Sequence, residues 1–349
     1  MEWNGPSSIY YDNGNIREIK NYKEGVLHGP CEIYFYNGGL SEKLMYKDNK
    51  KEGECTTYFE NGIIKSISNF SDNKLHGKAT LYNSNGTKSK EMFYKEGLLE
   101  GELQTFDKDG NLISVENYAA NLKNGVSKHF THTGVLVSEF PYIEDSIHGE
   151  VKYFYPDGEL KSIITYKKNF KDGPTKIFYK SGALKEDKKN ILNKTEGTVL
   201  TYYKSGALKG EWNYVGGKPH GESKFYFEEG TVLGIKNFKE GLDNGVTKVF
   251  HKNGKLKEEI AFTDGMRDGE CKKYDATGKL IQKVEFQKGT VKQVESLKLE
   301  SSSSQTRQHS TKTDKTPQVR QNVKDYVAIA VISVIVIFII YTLLIYFIG

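Results

Sequence analysis

The chain has 349 residues, of which 35 are glycine, 23 tyrosine and 18 phenylalanine, but only 7 are proline and 3 cysteine. Its formal net charge of +5 is too small for an electrostatic binder of nucleic acid, so we expect no nucleic-acid partner. The N-terminus has neither a basic stretch nor an apolar run, which argues against a secretory signal peptide.

Glycine recurs at intervals of 24 residues in two columns, which end at Gly278 and Gly269. The first column, beginning at Gly14, lies in turn contexts such as Asn-Gly and Asp-Gly, and the second begins at Gly5. A third column, from Gly25 to Gly289, holds only Gly, Asn or Asp, which tolerate positive φ. The constant period predicts a repeat architecture, and the third column predicts a left-handed turn position.

Aromatic and aliphatic residues keep the same period. An aromatic residue stands four positions before each first-column glycine, and a second aromatic follows eight positions after it, except at Asn190. An aliphatic residue follows the glycine by two positions, except at Lys88. The aliphatic residue and the second aromatic are six positions apart, which predicts one face of a strand. Each repeat therefore predicts one β-hairpin.

These patterns divide the chain into three parts. Residues 4–296 predict an all-β repeat fold, an elongated single-layer antiparallel sheet of about twelve 24-residue β-hairpin repeats. Residues 297–325 are rich in Ser, Thr and Gln and predict a flexible linker. Residues 326–348 are uncharged and long enough for one C-terminal transmembrane helix.

Basic residues precede the hydrophobic segment, at Lys312, Lys315, Arg320 and Lys324. The positive-inside rule then predicts a single-pass tail anchor with the repeat array facing the cytosol. A glycolipid-anchor signal is the rival interpretation, because Ser301 to Ser304 are small residues ahead of a hydrophobic tail. That rival requires an exported precursor.

Two units of the chain resemble MORN repeats, namely those from Tyr22 to Gly29 and from Tyr214 to Gly221. Each is followed by an aromatic pair and a Gly-containing turn. The resemblance is to the variant class met in bacteria, protists and large DNA viruses, and it covers nearly all of residues 4–289. It implies a sheet of hairpins and roles in scaffolding, membrane–cytoskeleton tethering and dimerisation. The Gly-x-Gly pattern of the eukaryotic repeat is missing here, so a phospholipid-binding site is not carried over.

Residues that could ligate metal or form disulfides fall in separate repeats. Four histidines, beginning with His28 and His76, precede the second glycine column, but they lie at least about 19 Å apart and predict polar turn residues. Cys31 and Cys55 are about 10 Å apart by strand spacing, too far for a disulfide, and with Cys271 predict buried small side chains. We find no motif for a cofactor, a metal or catalysis, and therefore predict no enzyme.

Some repeats have an extra aromatic residue directly after the first packing aromatic. As sequence neighbours, the two should point to opposite faces, which would leave a row of exposed aromatics for a protein partner. The candidate partner-binding residues are Tyr11, Phe35, Phe59, Tyr155, Tyr179, Tyr203 and Phe227.

Together these features predict a non-enzymatic, membrane-anchored scaffold or protein-interaction repeat protein that displays a long β-ribbon to the cytosol. Its expected partners are the membrane, through residues 326–348, and an unidentified protein. The edge strand at residues 4–11 also predicts a possible homodimer. The alternative is a membrane–membrane or membrane–cytoskeleton tether whose repeats contact lipid, although the nearly neutral repeat array argues against strong attraction to anionic lipid. A small-molecule enzyme would need a convergent polar pocket that the repeats do not predict.

Overall fold

The computed structural model describes residues 3–296, which form a single sheet of 32 strands. Hydrogen-bonded strands follow chain order and every pair is antiparallel, as between Gly5–Tyr10 and Ile16–Lys23. This confirms the all-β sheet of repeated hairpins. Within this part of the chain no helix is long and apolar enough to cross a membrane. The predicted linker, 297–325, and the predicted transmembrane helix, 326–348, lie outside the described residues.

The strands are numbered in chain order. They are β1 Gly5–Tyr10, β2 Ile16–Lys23, β3 Val26–Tyr34, β4 Leu40–Lys47, β5 Lys50–Lys51, β6 Gly53–Tyr58, β7 Ile64–Ser71, β8 Lys74–Leu75, β9 Gly77–Tyr82, β10 Lys88–Lys95, β11 Leu98–Leu99, β12 Gly101–Phe106, β13 Leu112–Ala119, β14 Leu122–Lys123, β15 Gly125–Phe130, β16 Leu136–Ile143, β17 Ser146–Ile147, β18 Gly149–Phe154, β19 Leu160–Lys167, β20 Phe170–Phe178, β21 Leu184–Ile191, β22 Lys194–Tyr202, β23 Leu208–Val215, β24 Lys218–Pro219, β25 Gly221–Tyr226, β26 Val232–Lys239, β27 Leu242–Asp243, β28 Gly245–Phe250, β29 Leu256–Thr263, β30 Met266–Tyr274, β31 Leu280–Gln287 and β32 Thr290–Ser296. The two-residue strands, such as β5, are separated from the next strand by one residue, and each such pair acts as one strand of a hairpin.

The first turn of each hairpin contains the first glycine column. In the first repeat, the Gly14 N–H donates to the Tyr11 carbonyl oxygen, and the Tyr11 N–H donates to the Asn15 carbonyl oxygen. Gly14 has φ +87°, a conformation that glycine adopts without steric cost. Asn13 closes the turn by accepting the Asn15 N–H at 3.0 Å.

The second turn is a two-residue hairpin loop. Lys47 pairs with Lys50, and the two residues between them, Asp48 and Asn49, have φ of 51° and 68°. Two consecutive positive φ values are the mark of a type I′ turn, whose twist matches that of the strands. The predicted left-handed position of the third column is therefore confirmed.

The second glycine column lies in a bulge rather than in a turn. The ladder between β2 and β3 skips three residues opposite Asn21, namely His28, Gly29 and Pro30. Gly29 has φ +106°, and the Asn21 side-chain amide donates to the Pro30 carbonyl oxygen at 2.7 Å. His28, predicted to be a polar turn residue, therefore stands in a bulge. A polar residue followed by glycine suits both structures, and this ambiguity explains the error.

The packing core is a column of small side chains on the first strand of each hairpin. Ser127 pairs with Phe140 and Cys31 pairs with Leu44, so a small residue faces a large one across the ladder. Val151 in the same column is fully buried. The buried members are Cys31, Cys55, Ala79, Ser127, Val151, Thr175, Val199, Ser223 and Thr247.

Side chains also join each repeat to the next at the second turn. The Asn49 Oδ1 atom accepts the Leu27 N–H at 2.8 Å, and the Glu52 Oε2 atom accepts the Asp72 N–H at 3.0 Å. Both bonds cross a repeat boundary. The sheet is thus stabilised by nearest-neighbour contacts, as in other repeat proteins.

Candidate interaction surface

The seven aromatic residues predicted to bind a partner all stand directly before the first turn of their repeat. Each is half-buried, whereas the prediction was an exposed row. The backbone N–H of each residue, as at Tyr179, donates across its own turn. Partner binding at these positions stays a prediction.

The tyrosines at these positions form hydrogen bonds with the following repeat. The Tyr179 hydroxyl donates to the Tyr202 carbonyl oxygen at 2.8 Å, and the Tyr203 hydroxyl donates to the Tyr226 carbonyl oxygen at 2.8 Å. Tyr11 and Tyr155 make the equivalent bond. These bonds fix each hydroxyl on the backbone of the next repeat.

A lysine covers the ring in three consecutive repeats. The Nζ atoms of Lys161, Lys185 and Lys209 lie 5.8, 5.9 and 5.7 Å from the ring centroids of Tyr155, Tyr179 and Tyr203. Each lysine is the unpaired residue of a β-bulge next to the first turn. A bulge re-aims its side chain, which brings the ammonium over the ring at cation–π distance. We call these six residues the tyrosine–lysine row.

The other candidates have different surroundings. Phe59 has Lys65 at 6.0 Å in the same arrangement, but Phe227 is approached by Lys252 from the next repeat at 5.6 Å. Tyr11 contacts Tyr36 edge to face, with 5.3 Å between ring centroids. The structure thus places all seven in one column but brings only Tyr155, Tyr179 and Tyr203 together in adjacent, equivalent repeats.

Positive charge dominates the row. The Lys180 ammonium lies 2.9 Å from the Asp157 carboxylate, and this hydrogen bond holds the pKa of Asp157 below its usual range. Burial raises the pKa of Tyr179 and of Tyr203, so both hydroxyls stay protonated. Lys204 has no ionic partner among residues 3–296.

The sequence interpretation missed a second surface feature at the opposite end of the hairpins. Exposed apolar side chains flank the type I′ turns of consecutive repeats, and we call them the aliphatic ridge. Its members are Leu98, Leu122, Ile143, Phe170, Ile191, Leu192, Val215, Leu242 and Met266. Leu192 is 61% exposed, the largest value among them. The signal was present as an apolar residue within two positions of the third column in eight consecutive repeats.

The histidine column gives no cation site. His28 and His76 line a shallow open groove together with Glu52, but no group of three potential ligands occurs in the part of the chain that the structure describes. The His28 Nδ1 atom lies 3.2 Å from the Asp48 Oδ1 atom, which accounts for its polar contact.

The cysteines are free thiols. Cys31 and Cys55 are buried in a cluster with Leu44, as predicted, while Cys271 is half-buried. Burial raises the pKa of Cys31 to about 11 and that of Cys55 to about 12. Their thiolate fractions near neutral pH are therefore very small, and these thiols are unsuited to nucleophilic chemistry.

A family described as "MORN repeat variant" matches ten segments of the chain. They are residues 3–24, 27–48, 51–72, 75–96, 99–120, 147–168, 195–215, 219–240, 243–264 and 267–288. The chain belongs to the MORN repeat variant family. Repeats of this family commonly mediate contacts with proteins or membranes. The unmatched segments around β16 and β21 form the same hairpins, although Asn190 replaces the second aromatic in one of them.

Solved structures add no functional argument. Three crystal structures are similar to this MORN chain, at 12%, 13% and 12% identity. Their titles name TcdB2-TccC3-Cdc42, TcdB2-TccC3-TEV and TcdB2-TccC3 without hypervariable C-terminal region. The matches cover 82%, 80% and 80% of this chain but only 20%, 18% and 19% of those chains, with TM-scores of 0.14, 0.15 and 0.17. The chain thus spans about a fifth of each structure's length. A comparison with curated protein sequences found no match.

Proposed function

We propose that this MORN repeat protein is a non-enzymatic scaffold, held at a membrane by residues 326–348, that presents its repeat array to a protein partner in the cytosol. The observation that carries the proposal is the tyrosine–lysine row, a repeated surface of half-buried rings and unpaired ammonium groups. Such rows suit recognition of an extended partner, because the same chemistry returns at each repeat.

The anchor and the interaction are tested separately on the full chain. Alkaline carbonate extraction should leave the full chain in the membrane pellet and release a variant lacking residues 326–348. A photo-crosslinking amino acid at Lys204, beside the row, should capture a protein partner in cells. The same substitution at Lys108, the equivalent turn position of a repeat without an aromatic row, is the control. Equal crosslinking at both positions contradicts the scaffold surface.

The aliphatic ridge favours a second candidate, the tether whose repeats contact lipid. Apolar side chains at turn tips, such as Leu122 and Phe170, can enter the headgroup region while neighbouring lysines remain at the interface. Proteoliposomes carrying the full chain should then cluster protein-free vesicles, as measured by light scattering. If the variant with both Leu122→Ser and Phe170→Ser still clusters vesicles, the aliphatic ridge is not the surface that contacts lipid.

The first strand supports the proposed homodimer. Among the described residues β1 pairs only with β2, so one side of its backbone is free for another strand. Ile9 and Tyr10 are 40% and 58% exposed on this strand. Light scattering of the detergent-solubilised full chain should give a dimer, and Ser8→Pro, which adds a residue unable to donate to a ladder, should give a monomer.

A further inference from the structure

The strongest unassigned chemistry in the molecule is in two adjacent repeats with the same seven residues, Tyr-Lys-Ser-Gly-Ala-Leu-Lys, at 179–185 and 203–209. Each segment has two lysines and no carboxylate. In both, the tyrosine hydroxyl is fixed on the next repeat and the last lysine lies over the tyrosine ring. Tyr155 and Lys161 continue the arrangement on the preceding repeat.

No carboxylate that the structure describes neutralises the lysines of the row. Other lysines of the array do pair with carboxylates, as Lys123 does with Glu116 at 2.6 Å. Within residues 3–296, the ammonium groups of Lys161, Lys185 and Lys209 lie over aromatic rings and form no ion pair. Of the flanking carboxylates, Asp157 pairs with Lys180, Glu229 pairs with Lys252, and Glu228 accepts a hydrogen bond from the Ser205 hydroxyl. The row thus offers three ammonium groups that an anionic ligand could pair with.

The spacing of these groups restricts the ligand. Successive repeats are two strands apart, which places equivalent lysines about 9.6 Å from each other. A polyproline II helix has three residues per turn and rises about 3.1 Å per residue, so residues on the same face of the helix recur every ~9.3 Å. An extended β-strand repeats one face at about 6.8 Å instead, which does not match. Aromatic surfaces also suit the rings of a proline-rich helix.

We propose that the tyrosine–lysine row binds a polyproline II segment of a partner protein that carries an acidic residue at every third position. Each carboxylate pairs with one lysine of the row, and the residues between pack against the exposed edges of the tyrosine rings. This inference rests on the proposed scaffold function and names the chemistry of its partner.

The test uses the full chain in nanodiscs and synthetic peptides followed by fluorescence anisotropy. One peptide has glutamate at every third position with proline between, and a second has the same length and composition with its glutamates at uneven spacings. We expect the first to bind at least about fivefold more tightly. Lys185→Gln together with Lys209→Gln should weaken its binding about tenfold, since each pair contributes modestly. The control, Lys218→Gln, removes a lysine from the opposite hairpin end of the same region and should leave binding unchanged.

The outcomes separate the inference from the function on which it rests. Equal binding of the two peptides, or equal loss in the Lys218→Gln control, overturns the proposed ligand. Crosslinking to a protein at Lys204 would then still support the scaffold role with another partner chemistry. Tight, lysine-dependent binding of the evenly spaced peptide supports the inference whether or not the membrane anchor is confirmed.

Discussion

Two regions of the array close the same turn in different ways. In the repeats that contain Tyr155, Tyr179 and Tyr203, the residue before the first turn bonds to the backbone of the next repeat. In the repeats from β9 to β16, the same position holds Asn83, Asp107 or Thr131, whose side chains bond within their own turn. The side chain at this position therefore couples neighbouring repeats in one region and stabilises its own turn in the other.

The difference bears on how the array responds to damage. A bond across a repeat boundary adds to the interface term that makes neighbouring repeats unfold together, while a bond within a turn adds to the intrinsic stability of one repeat. His251 shows that the column accepts other side chains for the first purpose, since its Nε2 atom lies 3.1 Å from the Tyr274 carbonyl oxygen. The tyrosine region should therefore be the more cooperative of the two.

The largest effect is expected at a bulge glycine of the tyrosine region. Gly173 has φ +131°, and a Cβ atom added there would lie 2.9 Å from the Thr165 Cβ and Cγ2 atoms. Gly173→Ala should reduce the free energy of unfolding by about 3 kcal/mol through backbone strain and overlap. Urea denaturation followed by tryptophan fluorescence measures it, because Trp212 lies in the same region.

Gly101→Ala is the matched control in the other region. Gly101 has φ +77°, and nothing lies within 4 Å of an added Cβ atom, so the cost should be about 1 kcal/mol from the backbone alone. Thr165→Ala should recover part of the Gly173→Ala loss, because it removes the Cγ2 contact. Equal costs at Gly173 and Gly101 would show that overlap with Thr165 is relieved without strain.

A hydroxyl deletion tests the coupling itself. Tyr179→Phe removes the bond to the Tyr202 carbonyl oxygen and should cost about 1 kcal/mol. Hydrogen–deuterium exchange should rise on both sides of the repeat boundary, in β20 and in β22, because the lost bond belongs to the interface between them.

Asp107→Ala is the corresponding change in the other region. It removes the hydrogen bonds that the N–H groups of Asp109 and Asn111 donate to the Asp107 carboxylate, both at 2.9 Å. Exchange should rise only within the turn between β12 and β13. A rise of equal extent across the boundary in both variants would mean that the two regions do not differ in cooperativity.

The sequence predicted the hairpins because the decisive information is local and repeated. Glycine at Gly14 and Asn at Asn49 have positive φ in their own turns, and the ladder follows from the strands between them. The bulge at Gly29 was not distinguished from a turn, because both require a residue that tolerates positive φ. Only the pairing with Asn21 from another strand decides between them.

The sequence predicted which positions form the candidate surface, but not the contacts or the burial of the side chains there. The aromatic character of Tyr179 and its place beside the first turn are visible in the sequence. The bond of its hydroxyl to Tyr202 and the approach of Lys185 depend on the distance between repeats and on the bulge, which no local pattern encodes. For the same reason the half-buried state of these rings was mistaken for exposure.

Lowering the pH should destabilise the turn that contains Asp107 but not the turn that begins at Tyr179. We expect this effect to be smaller than those of the substitutions above. Hydrogen bonds from Asn111 lower the pKa of Asp107, so this carboxylate stabilises its turn fully above its unfolded pKa of about 3.9. That contribution is lost as the pH falls through the lower pKa of the folded state. The turn that begins at Tyr179 contains no carboxylate up to residue 185. Carbon-13 NMR of labelled aspartate side chains should give a depressed pKa for Asp107, and Asp107→Asn should abolish the acid sensitivity of its turn.

The smallest expected effect concerns the cysteines of the first repeats, whose labelling rates Tyr179→Phe should leave nearly unchanged. With pKa values raised to about 11 and about 12, Cys31 and Cys55 react at pH 8 only when their cluster opens. Tyr179→Phe acts several repeats away, so their labelling rates should change less than about twofold if coupling is limited to neighbours. Leu44→Ala, which leaves a cavity in the cluster itself, should accelerate labelling more than about tenfold. If Tyr179→Phe accelerates labelling as strongly, the array unfolds as one unit, and the bonds across each boundary carry cooperativity through both regions alike.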